Sequence, residues 1–384
     1  MNELTTDLHD GVNEALQMAF HNCIQTNNQS KTAIPYIVGP PGGGKSACLD
    51  IACHNYDKVG FISIHFAFKP LEDISGLPYA EKIEINGVKM VGTRWSLPQL
   101  ITIFFAHAKQ VEYLIILIDD YHLCSKDHQN LGYELFTEHS IRGFHLPQNS
   151  AIVLAGNDSS LSNSVRLSSG IVGRVYIIYV ETDYNYWKIN YAIPNNVHGE
   201  IISFLNNDIN RNKYFHEDED FKPYASPRAW SNLSIAWNIL DQSKYFKLHN
   251  LTQGHIGIEA AAAFMTHYKI YSTINCKKIF QTGNFKISNS AVDGYIFGTA
   301  IISHYMQNLK KKGNENNRAI LIDIINTLCK NNKEIAIAIM KEFNISLETY
   351  YKKFNSEYAK IMTGLKIENR EAIINAVIKI RNGD

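Results

Sequence analysis

The sequence predicts an α/β protein: a mainly parallel five-stranded sheet flanked by helices, followed by an all-helical remainder. Three observations carry this. Five short apolar runs are separated by helix-length segments, a glycine-rich loop follows the first run directly, and apolar spacing turns helical beyond Glu181. Continuous runs such as Leu114-Ile115-Ile116-Leu117-Ile118 suit strands covered on both faces.

Residues 8–24 place Leu8, Val12, Ala15, Leu16, Ala19, Phe20, Cys23 and Ile24 at helical spacing, so an amphipathic helix precedes the first strand, 34–38. A helix over Ser46 to His54 follows the loop, and 59–66 forms a second strand. Residues 82–91 alternate about Asn86-Gly87, the pattern of a β-hairpin. Pro98 suits the first turn of a helix reaching Gln110, and 113–118, 151–155 and 175–180 complete the strands. Helices are expected near 183–192, 198–206, 227–241 and 254–273. Another opens at Ser290, Val292 and Asp293, and a last one carries Ile320, Leu321, Ile324, Ile325 and Leu328 on one face. Lys310-Lys311-Lys312 reads as a solvated loop. The expected domains are 1–182, 183–275 and 276–384.

Composition narrows the function classes. With 37 basic and 37 acidic side chains, no global field holds nucleic acid or an anionic membrane. The six cysteines form no C-x-x-C pair, which fits reduced thiols in a cytoplasmic protein. The N-terminus lacks a basic and then apolar leader, and no run is long enough to span a bilayer, so no membrane insertion is expected. The 15 histidines include no H-E-x-x-H pair, so core or surface histidine is the default, and no G-x-S-x-G elbow occurs.

The loop itself reads Gly39-Pro40-Pro41-Gly42-Gly43-Gly44-Lys45-Ser46, a complete G-x-x-x-x-G-K-S phosphate-binding pattern. Its glycines let successive backbone N–H groups converge on a polyphosphate. Lys45 offers a point charge to the β- and γ-phosphates and Ser46 a hard oxygen for Mg²⁺, so ATP with Mg²⁺ is the expected ligand. Residues 39–46 and Ala47 form the candidate nucleotide-binding set. Asp119 ends the apolar run at the carboxyl edge of a central strand, where a carboxylate organises Mg²⁺ beside Ser46. Asp120 is placed to orient or polarise an attacking water. Asn157 follows the next strand and offers an amide to the γ-phosphate and the water, although an Asn there is, taken singly, a turn residue. Arg174 precedes the fifth strand, away from its own phosphates; it reads either as a surface ion-pair partner or as an arginine supplied to a neighbouring subunit, a contribution of about 10³ to 10⁵ in rate. Ser226-Pro227-Arg228 reads as an N-cap, a first-turn proline and a basic residue facing the nucleotide.

In this order the motifs resemble the AAA+ ATPases, and specifically the MoxR-like branch. The resemblance also takes in Leu71-Glu72-Asp73-Ile74-Ser75-Gly76-Leu77-Pro78, the hairpin before Trp95-Ser96-Leu97-Pro98, and Arg142-Gly143-Phe144-His145-Leu146-Pro147. It continues through Val165-Arg166, Gly173-Arg174, Asp183-Tyr184-Asn185-Tyr186-Trp187 and Gly257-Ile258-Glu259-Ala260, so roughly 8–275 takes part. It implies a P-loop AAA+ core with a helical lid, a homo-oligomeric ring (a hexamer) hydrolysing ATP with Mg²⁺, and a protein client, often one carrying a von Willebrand factor A domain. By position, Lys45 and Ser46 match Walker A, Asp119 and Asp120 Walker B, Asn157 sensor 1, Arg174 the arginine finger and Arg228 sensor 2; Arg166 is a lesser interface candidate. Two departures stand out: the family has Glu where this chain has Asp120, and Phe where Val175 follows the finger. A carboxylate withdrawn by roughly 1 Å slows hydrolysis, by about 100-fold at the extreme. A slow, nucleotide-gated scaffold is therefore the second reading, and a nucleic-acid motor the third.

Overall fold

The computed structural model describes residues 5–24, 33–157, 167–215, 223–240, 245–288, 290–308, 315–350 and 355–381. It divides into two compact units, Met1–Asp183 and Tyr184–Asp384. Lys310-Lys311-Lys312, Arg166 and Val165 lie outside the described residues.

The first unit runs β1 (Thr6–Asp7), α1 (Leu8–Ile24), β2 (Ile34–Val38), α2 (Lys45–His54), β3 (Val59–Ile64), α3 (Leu71–Ser75), β4 (Pro78–Ile85), β5 (Val88–Trp95), α4 (Gln99–Ala108) and β6 (Tyr113–Ile118). It continues through α5 (Lys126–Glu138), β7 (Ser140–Ile141), β8 (Phe144–His145), β9 (Ser150–Gly156), α6 (Ser169–Val172) and β10 (Val175–Glu181). The main sheet has the order β1-β10-β2-β9-β6-β3, and every pair in it that has a register is parallel. The expected five-stranded α/β core is thus present, with two residues of β1 added beside β10. β2, β6 and β9 are the three central strands, and all of Ile34–Val38, Leu114–Ile118 and Ser150–Gly156 are buried, as unbroken apolar runs require.

Local departures have local reasons. β3 stops at Ile64 rather than continuing to 66, because Phe66 leaves the ladder in a 3₁₀ turn, Phe66–Phe68, and its ring is completely buried. The hairpin is longer than 82–91, with Pro78 opposite Trp95. Asn86 at φ 52° and Gly87 at φ 80° make its tip a type I′ turn, whose twist matches the flanking strands. Tyr79, Val88, Met90 and Val91 are exposed along it. The β7–β8 hairpin leaves no pattern in the sequence, because two-residue strands carry no periodicity.

Among its described residues the second unit has helices and no strand: α7 (Tyr184–Tyr186) running into a π-helical turn at Trp187–Ala192, α8 (Gly199–Leu205), α9 (Asp208–Tyr214), α10 (Pro227–Ile239), α11 (Tyr245–Ile256) and α12 (Ile258–Tyr271). It ends with α13 (Cys276–Thr282), α14 (Ala291–Asn308), α15 (Glu315–Asn331), α16 (Lys333–Tyr350), α17 (Asn355–Gly364) and α18 (Ile367–Arg381). Two apolar clusters fill it. One packs Trp187, Trp230, Trp237 and Phe264, and the other Tyr305, Leu328, Phe343 and Ile361. Between α8, α12 and α14 lies a buried polar chain, in which Ser203 Oγ meets Thr299 Oγ1 at 2.6 Å and His267 Nε2 meets Ser203 Oγ at 3.1 Å. In the second cluster Glu357, 6% exposed, accepts from Arg318 Nε at 2.6 Å and Tyr305 Oη at 2.6 Å. Burial raises the Glu357 pKa, and those two donors outweigh burial, so the carboxyl sits below its usual range. Among the described residues no helix is long and apolar enough to cross a membrane.

Candidate functional site

The loop leaves β2 at Val38, and Gly39 N–H donates to Gly156 O at 3.3 Å, tying the exit of β2 to the end of β9. Gly43 N–H closes back on Pro40 O at 3.3 Å, with Pro41 and Gly42 as the central pair. Proline there presets its own φ, and Gly42 at φ 79° takes the left-handed position that a type II turn demands. Gly44, at φ 94°, then turns the chain into α2 without a side-chain cap. The first turn of α2, Lys45, Ser46 and Ala47, thus carries backbone N–H groups with no partner inside the helix, at the positive end of its dipole.

Lys45 is 8% exposed, yet its ammonium is well satisfied: Nζ donates to Gly39 O at 2.9 Å, Pro40 O at 2.7 Å and Asn157 Oδ1 at 3.0 Å. Buried charge of this kind is tolerable only when every proton finds an acceptor. Ser46 Oγ donates to Asp119 Oδ2, while Asp119 Oδ1 accepts the Asp120 N–H at 2.9 Å. The parallel register puts Asp119 there, since β6 ends level with β3 and Asp119 N–H bonds Ile64 O at 2.8 Å. Lys45, Ser46, Asp119 and Asn157 are therefore brought together in one place.

Asp120 adjoins them in a left-handed conformation, φ 51° and ψ 35°, uncommon for a side chain with a Cβ and best tolerated by Asp and Asn. Its Oδ2 lies 3.4 Å from Nδ1 of His65, just beyond the end of β3. A second histidine stands behind Asn157: His122 is 4% exposed, and its Nδ1 accepts the Asn157 N–H at 3.2 Å. Burial pushes the His122 imidazole below its usual pKa, the Lys45 charge acts in the same direction, and the Asp120 and Asp119 carboxylates oppose them. Motif reading passed over both histidines. Their signal was positional: His65 follows a strand that neighbours Asp119's strand, and His122 stands three residues past Asp119.

Arg174 does not join this group. Its carbonyl accepts from Ile34 N–H at 2.9 Å, which puts it at the start of β2, one strand length, or roughly 13 Å, from the phosphate loop. The guanidinium is held by its own unit. Nε donates to Thr137 Oγ1 at 2.7 Å, Nη1 to Gly170 O at 2.8 Å and Nη2 to Tyr133 Oη at 2.6 Å, with Cζ 3.9 Å from the Tyr133 ring centroid. Arg228 stands exposed in the first turn of α10, in the second unit, with Ser226 Oγ capping Ala229 N–H at 3.2 Å.

The donor set fits a magnesium-bound polyphosphate. A cradle of backbone amides and one ammonium suits phosphate oxygens, and a hydroxyl touching a carboxylate offers two hard oxygens to a divalent cation. A divalent cation held here would take oxygens from Ser46 and Asp119, with phosphate and water completing its shell, as suits Mg²⁺.

No protein-family model matches the chain, and no curated protein matches it. Among solved structures it is similar to the RuvB Holliday junction branch migration motor of Thermotoga maritima, at 14% identity over 71% of this chain and 74% of that one, with a TM-score of 0.27. A DNA polymerase III gamma subunit-related protein from Thermotoga maritima matches at 11% identity over 92% and 95%, TM-score 0.26. NtrX from Brucella abortus, in complex with ADP, matches at 12% identity over 98% of this chain and 69% of that one, TM-score 0.29. Likeness at this level says nothing of activity.

Proposed function

We propose that this chain is a MoxR-like AAA+ ATPase that assembles into a ring, a hexamer, and hydrolyses ATP with Mg²⁺ at subunit interfaces to remodel or mature a protein partner. The observation that carries this reading is the convergence of Lys45 with Asn157, and of Ser46 with Asp119, at the carboxyl ends of three adjoining strands. Magnesium, when bound, neutralises charge that develops on the β- and γ-phosphates. The protein's residues do the rest: loop amides and Lys45 hold the phosphates, Ser46 and Asp119 orient the cation, Asp120 takes the proton side of an attacking water, and Asn157 faces the γ-phosphate. Arg174 serves a neighbouring protomer's phosphates. Its distance from its own loop favours that role over one at its own phosphates. Arg228 would bring the helical lid to the nucleotide, and a cytoplasmic client, such as a von Willebrand factor A domain protein, is the partner class implied.

A turnover assay across protein concentration, paired with particle images with and without ATP, tests the reading. Specific activity that rises with assembly supports it; concentration-independent turnover by a monomer overturns it.

One observation favours the slow scaffold as an alternative. Asp120 is short and faces His65, an arrangement compatible with ATP holding the assembly together rather than being turned over quickly. A nucleic-acid motor gains nothing from a chain of net charge +0.

A further inference from the structure

Both ring nitrogens of His122 face Asn157. Nδ1 accepts the backbone N–H at 3.2 Å, and Nε2 lies 3.3 Å from Nδ2 of the carboxamide. A backbone N–H can only donate, so Nδ1 presents its lone pair and the single proton of the neutral ring sits on Nε2. That Nε2–H meets another donor, the amide NH₂, because Oδ1 is turned toward Lys45 Nζ at 3.0 Å and an ammonium has no acceptor. Lys45 and His122 therefore compete for one oxygen. Lys45 holds it here, but a phosphate would draw that ammonium away, and the terminal torsion of an Asn side chain is soft and roughly two-fold.

We propose that His122 is a positioning residue that turns the Asn157 carboxamide once Lys45 engages phosphate. Oδ1 then accepts the Nε2–H of His122, and Nδ2 becomes a donor aimed at the terminal phosphoryl of a nucleoside triphosphate. The proposal rests on reading the loop as a triphosphate site. It assigns the histidine a task of discrimination: a diphosphate offers no terminal phosphoryl for Nδ2 to meet, so the pair favours triphosphate over diphosphate.

Calorimetry with Mg²⁺ and either ADP or a non-hydrolysable ATP analogue tests this on the full chain and its folded variants. His122→Phe is expected to lower the preference for the analogue over ADP by about 10- to 100-fold, the worth of one hydrogen bond to a charged group, with ADP affinity within about two-fold of the original. His122→Gln, whose amide can still donate, retains most of the preference. In an Asn157→Ala background His122→Phe changes nothing further, as expected for two residues acting through one contact. Should His122→Phe fail to fold, the ¹⁵N resonances of the His122 ring decide. The proton belongs on Nε2, and that N–H must respond to the analogue but not to ADP. A proton on Nδ1, an unresponsive Nε2–H, or a preference that survives His122→Phe overturns the positioning role alone. Folded protein that takes up neither nucleotide overturns it together with the proposed function.

Discussion

The Lys45 ammonium donates to Asn157 Oδ1 at 3.0 Å, joining residues 112 positions apart, one opening α2 and the other following β9. The bond aims a positive charge at the mouth of a loop whose backbone amides also point there. Lys45→Ala removes that charge and its hydrogen bonds to a phosphate; charge-assisted bonds at about 1.5 to 3 kcal/mol each translate into roughly 10- to 100-fold weaker ATP binding. Calorimetry on the folded variant checks this, and an unchanged affinity would remove Lys45 from the site.

Asp120 combines a short carboxylate with a left-handed backbone. Asp120→Glu extends the reach toward a water and is expected to raise turnover, by up to about 100-fold if reach is what limits it. The same change is expected to cost up to about 1 kcal/mol of stability, because Glu enters the left-handed region less readily than Asp. Asp120→Asn keeps the shape and removes the base, with a loss of about 100-fold or more. Identical steady-state turnover in all three proteins would show that this carboxylate takes no part in the chemistry.

Arg174 is held by Tyr133 and Thr137 at the opposite end of β2 from the loop. Arg174→Ala is expected to lower kcat by about 10³ while ATP affinity stays close to its original value. An equimolar mixture of Arg174→Ala with Lys45→Ala chains should recover part of the activity, since one chain supplies a working pocket and the other a working arginine. A mixture as inactive as its components would place the arginine outside the catalytic interface.

His267 gives the second unit a pH dependence. Burial lowers its pKa to about 4, against a weaker opposing pull from Glu200, so the folded unit holds the ring neutral. The unfolded chain takes up that proton below roughly pH 6.5. The contribution to stability is thus fully present above about pH 6.5 and lost progressively as the pH falls toward 4, amounting at most to about 3 kcal/mol. Protection factors of the amides in α8, α12 and α14, with the intrinsic pH dependence of exchange removed, should fall between pH 7.5 and pH 5, and His267→Gln should flatten that difference. Equal pH dependence in both proteins would refute the assignment.

Much of this architecture was legible in the residues. Apolar runs located β2, β6 and β9 because strands buried on both faces cannot alternate, and Asn86-Gly87 announced its turn because few other pairs take positive φ twice. The grouping of Ser46 with Asp119 was readable because the G-x-x-x-x-G-K-S pattern fixes where the loop enters α2 and Asp119 ends an apolar run. His65 and His122 were not, since their places depend on which strands are neighbours, a property of register rather than of any local motif. The six-residue match between β3 and β6 brings His65 beside Asp120, and no window of sequence contains that pairing. The restraint of Arg174 by Tyr133 was hidden because it depends on where α5 packs, which no local motif states.

The strand order has a consequence for synthesis on the ribosome. β2 is the second strand to be made, yet its partners β9 and β10 emerge far later, with Ile34 waiting for Val175. At usual elongation rates that delay is on the order of ten seconds, during which a wholly apolar strand has neither edge covered. The nascent chain must be shielded through that interval, and a truncation anywhere before Glu181 would leave an aggregating fragment rather than a smaller working pocket.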